Sequence, residues 1–242
     1  MEELPRSARL VCWFNAWVAG DAAPDDLTDA VTGDDAAHSV TGIDDEVALP
    51  LLLGLAALRR AGAHAATLAL PAPGDPVGVG GPRNFNEAAV EAGEAAVFTG
   101  AGLGLVPSVV GSGVFWAAHP AVPATTVPDV ASGERALREA LVAAAEQATG
   151  ADSAPFKTSG SAPSREQVTD VLAALRTSRP VSLPASYSTR AGRLAASAMR
   201  CLTILDLTPE RQPVLVELER AARHALVAAG SETPQQRASA GR

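Results

Sequence analysis

A glycine-rich stretch from Gly74 to Glu87 holds the residues of this 242-residue chain that are best suited to binding chemistry. It follows a predicted strand and leads into a predicted helix, so its backbone N–H groups would face an anion near a helix N-terminus. Arg83 would add a planar cationic group that pairs with a phosphate or carboxylate. The candidate ligand-binding residues are Gly78, Gly80, Gly81, Arg83, Asn84 and Asn86.

The same stretch also has a purely structural interpretation. Glycines supply unusual backbone angles, prolines stiffen the connection, and Asn86 would serve as the N-cap of the next helix. The run from Gly78 to Arg83 matches only part of a dinucleotide-binding fingerprint, because Arg83 stands where the third glycine is needed. Arg83 could also be neutralised by Asp75 or Glu87. Both interpretations of the loop stay open.

The sequence excludes several classes of catalytic and metal site. The only lysine, Lys157, does not follow a glycine-rich loop, so there is no P-loop. There is no Gly-x-Ser-x-Gly motif, and the four histidines do not have the spacing of metal ligands. Cys12 and Cys201 fall in apolar stretches, where thiols usually serve as inert packing. We therefore expect no catalytic residue, no metal and no cofactor.

The charge pattern argues against nucleic-acid binding. The chain carries 19 Lys and Arg against 27 Asp and Glu, a net charge of −8, whereas nucleic-acid binding requires a basic face. Nine of the acidic residues lie between Arg9 and Arg59, and we interpret them as a solvated face. Arg190, Arg193 and Arg200 share one face of a predicted helix. They could bind a phosphate or carboxylate, but a solvated or partner-facing surface is the simpler interpretation.

The same features predict a cytoplasmic protein. Two cysteines cannot build a disulfide framework, and the N-terminus lacks the pattern of a signal peptide. The longest uncharged apolar run, 47–58, is shorter than the roughly 20 residues that span a bilayer. We expect no membrane contact. The partner is an unidentified protein or a small anionic ligand, and a homo-oligomer is one possibility.

The helix and strand patterns around the candidate site predict a mixed α/β region over residues 1–128. Helices are predicted at 25–31, at 50–60 and from about 84 or 86 to 93. The glycines between the last three strands predict antiparallel hairpins. Trp13 and Trp17 would lie on one buried face of the first strand, since their offset is even. Strands are predicted at 10–18, 38–41, 67–70, 95–98, 103–110 and 114–118.

The remainder of the chain, residues 129–230, is predicted to be all-helical. Four helices are expected: one over 133–148, one capped by Ser164, one around 194–205 and one over 209–229. Residues 231–242 are polar and predict a disordered tail. The fold class is thus α/β, a mixed sheet with flanking helices, followed by a helical portion. Whether that portion is a separate domain or packs with the first as one unit stays open.

Several short segments in the first half carry a family resemblance. They are Leu70 to Pro76, the pair Gly81-Pro82, Phe85 to Ala89 and Glu91 to Ala95. In these segments the chain resembles a family of uncharacterised actinobacterial proteins. The resemblance implies a cytoplasmic bacterial protein and no particular activity.

Two functional hypotheses follow from the sequence. The first is a non-catalytic cytoplasmic protein that acts by binding or interaction. The alternative is an enzyme or sensor that binds a small anionic ligand at the Gly74–Glu87 loop. A concave site that contains Arg83 and free N–H groups would favour the alternative, and a tightly packed loop would favour the first hypothesis.

Overall fold

A six-stranded mixed sheet forms the centre of the N-terminal half in the computed structural model. The structure describes residues 4–43, 47–151, 181, 183–206 and 212–232. The strand order is β2-β1-β6-β5-β4-β3. The strands are β1 His38–Thr41, β2 Leu49–Pro50, β3 Ala65–Ala69, β4 Ala95–Thr99, β5 Leu103–Val110 and β6 Gly113–Pro120.

Seven helices lie in the described residues, four in the first half and three in the second. The predicted fold class, a mixed sheet with flanking helices followed by a helical portion, is confirmed. The helices are α1 Arg6–Ala19, α2 Pro24–Thr32, α3 Leu51–Arg60, α4 Arg83–Ala92, α5 Val130–Ala151, α6 Thr189–Asp206 and α7 Pro213–Gly230.

Strand pairing is antiparallel except between β1 and β6. The hairpins predicted from the glycine spacing are confirmed, since β4 pairs with β5 and β5 with β6 in antiparallel register. Glycines 100, 102 and 111 adopt positive φ in the two turns, a conformation that other residues rarely adopt. The partners of the parallel pair are far apart in the chain, since two helices and four strands lie between β1 and β6.

The prediction of a strand at residues 10–18 is wrong, because this segment is the middle of helix α1. The helix lacks a local N-terminal cap. Instead, the carboxylate of Glu94 accepts the Ser7 N–H at 2.7 Å, so the cap comes from a residue far away in the chain. The helix is also buried on several sides, among them at Leu10, Val11 and Phe14, which hides the usual helical period.

Trp13 and Trp17 do share one face, but it is a helix face at spacing i, i+4 rather than a strand face. Both side chains are half-buried against the core. The ring of Trp17 lies edge-on to Phe14 and 4.3 Å below the guanidinium of Arg59 on α3. Because Phe14 is the fully buried aromatic of this helix, it is the main aromatic contribution of α1 to the core.

The sheet has a helix layer on each side. One face carries Val40, Leu68, Phe98, Leu105 and Trp116 into a core shared with helices α1, α2 and α3. On the other face, Phe85 and Ala89 of α4 cover residues of β3, β4 and β5. Burial of both faces is typical of an α/β layer arrangement.

The C-terminal half is built around helix α7. Helices α5 and α6 both pack along it, and its C-terminal end reaches strand β3 and helix α1. At the crossing of the three helices, a Cβ on Gly133 would lie 3.1 Å from Ala228 and 3.3 Å from Leu194, so glycine permits the close approach. The predicted helix capped by Ser164 lies outside the described residues. Helix α7 begins at Pro213, which occupies its first turn. The predicted start of this helix, Pro209, also lies outside the described residues.

Candidate functional site

Two of the predicted site residues lie in close contact with the backbone of other segments. A Cβ on Gly78 would overlap the Leu68 carbonyl oxygen and the Ala69 backbone. A Cβ on Gly80 would lie 2.5 Å from the carbonyl oxygens of Val122 and Pro123. These glycines allow the loop to lie directly against strand β3 and the segment after β6. Their close packing agrees with the structural interpretation of the loop.

The other four predicted residues lie at the start of helix α4. The side chain of Arg83 is 90% exposed and its Nε donates to Glu87 at 2.6 Å, which realises one of the two predicted pairings. Asn84 is exposed. Asn86 is not the N-cap, a position that Pro82 holds; instead, its Oδ1 accepts the Gly81 N–H at 3.0 Å from within the first turn.

A shallow depression of about 540 Å³ lies beside these residues and is lined by Arg83, Asn86, Glu87, Val90 and Glu91. The structure thus brings Arg83 and Asn86 together at one surface. It does not bring Gly78 and Gly80 to that surface, since Gly78 is buried against β3 and the exposed Gly80 lies against the backbone of residues 122–123. Binding of an anion at this loop stays a prediction.

Asp75, in the same loop, connects the loop to helix α7. Its buried carboxylate accepts hydrogen bonds from Arg223 at 2.9 Å and from His224 at 2.8 Å, and Arg220 lies 3.6 Å away. The predicted alternative pair of Asp75 with Arg83 is therefore not formed. The three basic residues stand at offsets of three and four along one helical face, a sequence signal that could have indicated a shared carboxylate partner.

Strand β3, an edge strand, is held by two further side chains. Asn15 of α1 accepts the Ala66 N–H at 2.7 Å and donates to the Ala66 carbonyl at 2.9 Å. Ser231, just after α7, accepts the Leu68 N–H at 3.0 Å. These contacts satisfy backbone groups that an edge strand would otherwise expose, and they fix the end of α7 against the sheet.

A cavity of about 620 Å³ opens where β3, the connection before α5, and the ends of α6 and α7 meet. We call it the junction cavity. Its volume falls within the roughly 300–1,000 Å³ that is usual for small-molecule sites. It is lined by Thr67, Val127, Pro128, Asp129, Val130, Ala131, Ser188, Arg190, Ala228, Ser231 and Glu232.

Hydrogen bonds between elements fix the polar residues of the junction cavity. Glu232 accepts both the N–H and the hydroxyl of Ser188 at 3.0 Å, and the Ser188 Oγ accepts the Ala191 N–H in the first turn of α6. Asp129 caps α5 by accepting the Ser132 N–H at 2.7 Å. The cavity wall is therefore preorganised by helix caps.

An ion pair joins helices α5 and α6 beside the cavity. Arg190 donates twice to one oxygen of Glu134, at 2.7 and 3.0 Å. This pairing lowers the pKa of Glu134, and the hydrogen bonds from Ser132 lower the pKa of Asp129. Both carboxylates are therefore ionised at neutral pH.

The two cysteines are buried and are placed for packing. Burial raises the pKa of the Cys12 thiol to about 12 and also raises that of Cys201, so neither forms a thiolate readily. Cys12 lies beside the hydroxyl of Tyr187, which donates to the Gly230 carbonyl at 3.1 Å. Within the described ranges, no group of three or more His, Cys, Asp or Glu residues could hold a metal ion.

Sequence reasoning did not find the junction cavity. It singled out Arg190 only as part of an arginine stripe, and that residue lines the cavity. The other lining residues come from positions as far apart as Thr67 and Glu232. Their proximity depends on how helix α7 docks on β3, which no local pattern encodes.

Comparison with known proteins places the chain in a family. A profile described as the N-terminal domain of Rv1486c-like proteins matches residues 7–130, and a profile for the C-terminal domain of the same proteins matches residues 131–227. The chain belongs to the Rv1486c-like family. The predicted resemblance to uncharacterised actinobacterial proteins is thereby confirmed.

Two relatives come from Mycobacterium tuberculosis. They are the uncharacterised protein Rv1486c of strain H37Rv and the uncharacterised protein MT1533 of strain CDC 1551, and each is 30% identical to this chain over 180 residues. The aligned region covers 58% of this Rv1486c-like chain and 62% of each relative, so the chain spans less than two thirds of their length. No solved structure matches it.

The two family profiles meet between residues 130 and 131, at the start of helix α5. The junction cavity of this Rv1486c-like protein is lined by residues on both sides of that position, such as Thr67 and Val127 before it and Ser188 and Ala228 after it. None of the helices in the described segments combines the length and the apolar character needed to cross a membrane.

Proposed function

We propose that this member of the Rv1486c-like family is a non-catalytic binding protein whose small-molecule ligand occupies the junction cavity. The observation that carries the proposal is the cavity itself, about 620 Å³ in volume and lined by residues of both family-profile regions. Apolar side chains such as Val127, Pro128 and Val130 offer a surface for a ligand body, and a few polar groups can orient it. Such a combination is typical of ligand sites.

The polar groups of the cavity support binding rather than catalysis. Neither histidine nor cysteine is among its lining residues. The Ser188 hydroxyl donates to Glu232 and accepts the Ala191 N–H, so it is engaged in capping the first turn of α6. The Asp129 carboxylate is engaged in capping α5. These engagements favour a rigid site that recognises a ligand and leaves it unchanged.

We further propose that the protein acts in the cytoplasm. This location is supported by its two cysteines, both of which are free and buried. A reducing compartment keeps such thiols unpaired.

The proposal can be tested by ligand screening with a cavity-filling variant. Ala131 lines the junction cavity yet is exposed, so Ala131→Trp can place an indole in the cavity without repacking the core. In a thermal-shift screen of small metabolites, compounds should stabilise the wild type but not this variant. A ligand at a hundred times its Kd adds about 2.7 kcal/mol to the free energy of unfolding, which shifts the midpoint clearly.

The matched control is Val142→Trp, which adds the same ring at an exposed position further along α5, away from the cavity lining. It should respond to each compound as the wild type does. Equal stabilisation of wild type and Ala131→Trp would contradict the proposal, and so would a screen without any stabilising compound.

A second candidate function is binding of a small anion at the Gly74–Glu87 loop. The observation that favours it is the depression beside Arg83 and Asn86, which places one cation and one amide at a common surface. An anion there must displace Glu87 from Arg83, because the two side chains are paired. Adding Arg83→Ala to the same screen separates the two functions: loss of stabilisation by a phosphorylated metabolite in this variant alone would favour the loop.

A further inference from the structure

The charged side chains that line the junction cavity are mostly acidic. Asp129 and Glu232 are carboxylates, and Arg190 is the cation in the lining. Arg190 already donates twice to Glu134, so its charge is offset by a partner just outside the lining. An anionic ligand would have to compete with Glu134 for this guanidinium.

The two lining carboxylates receive their hydrogen bonds from neutral groups. Asp129 accepts from the backbone and hydroxyl of Ser132, and Glu232 accepts from the backbone and hydroxyl of Ser188. Such bonds orient the carboxylates without neutralising their charge. Arg190 lies within electrostatic reach of both carboxylates and Arg135 of Asp129, but Arg190 is already paired with Glu134, so three carboxylates share its charge. The cavity thus holds negative charge that a ligand can balance.

The rest of the wall limits what the ligand can be. Val127, Pro128, Val130, Ala131 and Ala228 form an apolar surface beside the carboxylates. Burying apolar ligand surface there is favourable, and a cationic group is attracted to carboxylates more strongly in a partly enclosed site than in water. A compact metal ion would leave this apolar surface unused.

We infer that the ligand of the junction cavity is a small organic amine, with an apolar body against Val127, Pro128 and Val130 and its ammonium group near Asp129 and Glu232. This inference rests on the proposed function and adds the chemical class of the ligand. It also separates the junction cavity from the loop at Arg83, where the ligand would be an anion.

Three probes of similar size and different charge test the inference: cyclohexylmethylamine, cyclohexylmethanol and cyclohexanecarboxylate. Their affinities for the full chain can be measured by calorimetry and by competition with any compound from the screen. The amine should bind about tenfold more tightly than the alcohol, since two partly exposed ion pairs together account for roughly that factor. The carboxylate should bind more weakly than the alcohol.

Isosteric variants show which carboxylates produce the preference for the amine. Asp129→Asn and Glu232→Gln retain hydrogen-bond acceptors for the helix caps and remove one charge each, so each should weaken amine binding about three- to fivefold while leaving alcohol binding unchanged. Asp21→Asn removes the same charge at an exposed position before α2 and should change neither affinity.

The possible outcomes separate this inference from the proposed function. If the alcohol or the carboxylate binds as tightly as the amine, and Ala131→Trp abolishes that binding, the amine inference is wrong and the cavity is still a ligand site. If none of the three probes binds, the amine inference is wrong, and the broader screen with Ala131→Trp decides whether the proposed function fails as well.

Discussion

At the residue scale, His38 shows how a polar group is accommodated in the core. Its Nδ1 accepts the indole N–H of Trp116 at 3.2 Å, and its Nε2 donates to Asp35 at 3.1 Å. Arg6 donates twice to the same carboxylate, at 2.7 and 2.8 Å, and holds the pKa of Asp35 at about 2, below its ordinary 3.8. Burial lowers the pKa of His38, so the imidazole stays neutral. With both nitrogens engaged, this histidine is structural.

The network predicts a specific loss of stability in mild acid. Below the ordinary His38 pKa of 6.5 the unfolded chain takes up a proton that the folded chain resists, so the free energy of unfolding falls as the pH drops. His38→Gln removes this titration while leaving the other histidines in place. Urea unfolding at about pH 7 and about pH 5 should show a smaller pH-dependent loss in the variant than in the wild type. Equal losses would show that folding does not lower the pKa of His38.

At the element scale, the sequence predicted those elements whose start and stop signals are local. Helix α2 follows its proline and first-turn acids, and strands β4, β5 and β6 follow the glycine turns. Helix α1 was missed because its cap, Glu94, lies outside its own segment and its burial is not one-sided. The predicted Asn86 cap is also wrong, since Pro82 holds the N-cap position of α4 and Asn86, within the first turn, accepts the Gly81 N–H.

The packing of helix α3 on strand β1 depends on Gly54. A Cβ there would lie 2.6 Å from Cβ and Cγ2 of Val40, which is fully buried and cannot move aside. We expect Gly54→Ala to lower the free energy of unfolding by about 1–3 kcal/mol through overpacking, despite the higher helix propensity of alanine. Denaturant unfolding measures this change.

The control for this prediction is Gly192→Ala on α6, where no heavy atom lies within 4 Å of the added Cβ. Only helix propensity acts there, so this variant should gain up to about 1 kcal/mol. If the two substitutions change stability by the same amount, the close contact between α3 and β1 is contradicted.

At the scale of the whole molecule, long-range contacts determine where helix α7 lies. Asp75 binds Arg223 and His224, which lie within the first two thirds of α7. Ser231, just after the helix, joins the end of α7 to β3. Each of these contacts joins residues well over a hundred positions apart, so no sequence pattern within one segment predicts them. The junction cavity is a result of this docking, which explains why the sequence pointed to the glycine-rich loop instead.

With respect to function, the sequence predicted which reactive and charged residues are present and how some of them are used. It identified Arg83 and its possible partner Glu87, and it placed both cysteines among packing residues. It could not show that Gly78 and Gly80 are required by close backbone contacts, because those contacts come from β3 and from residues 122–123. The domain boundary at residue 128 stays a prediction.

Hydrogen exchange with and without a bound compound locates the ligand on the molecule. The protein would be labelled in the presence of the most stabilising compound from the screen, and exchange would be followed peptide by peptide. We predict slower exchange in the segments that line the junction cavity, 127–131, 188–191 and 228–232, and unchanged exchange around Arg83 in helix α4. Slower exchange confined to residues 83–91, with the cavity segments unaffected, would contradict the account and place the ligand at the loop.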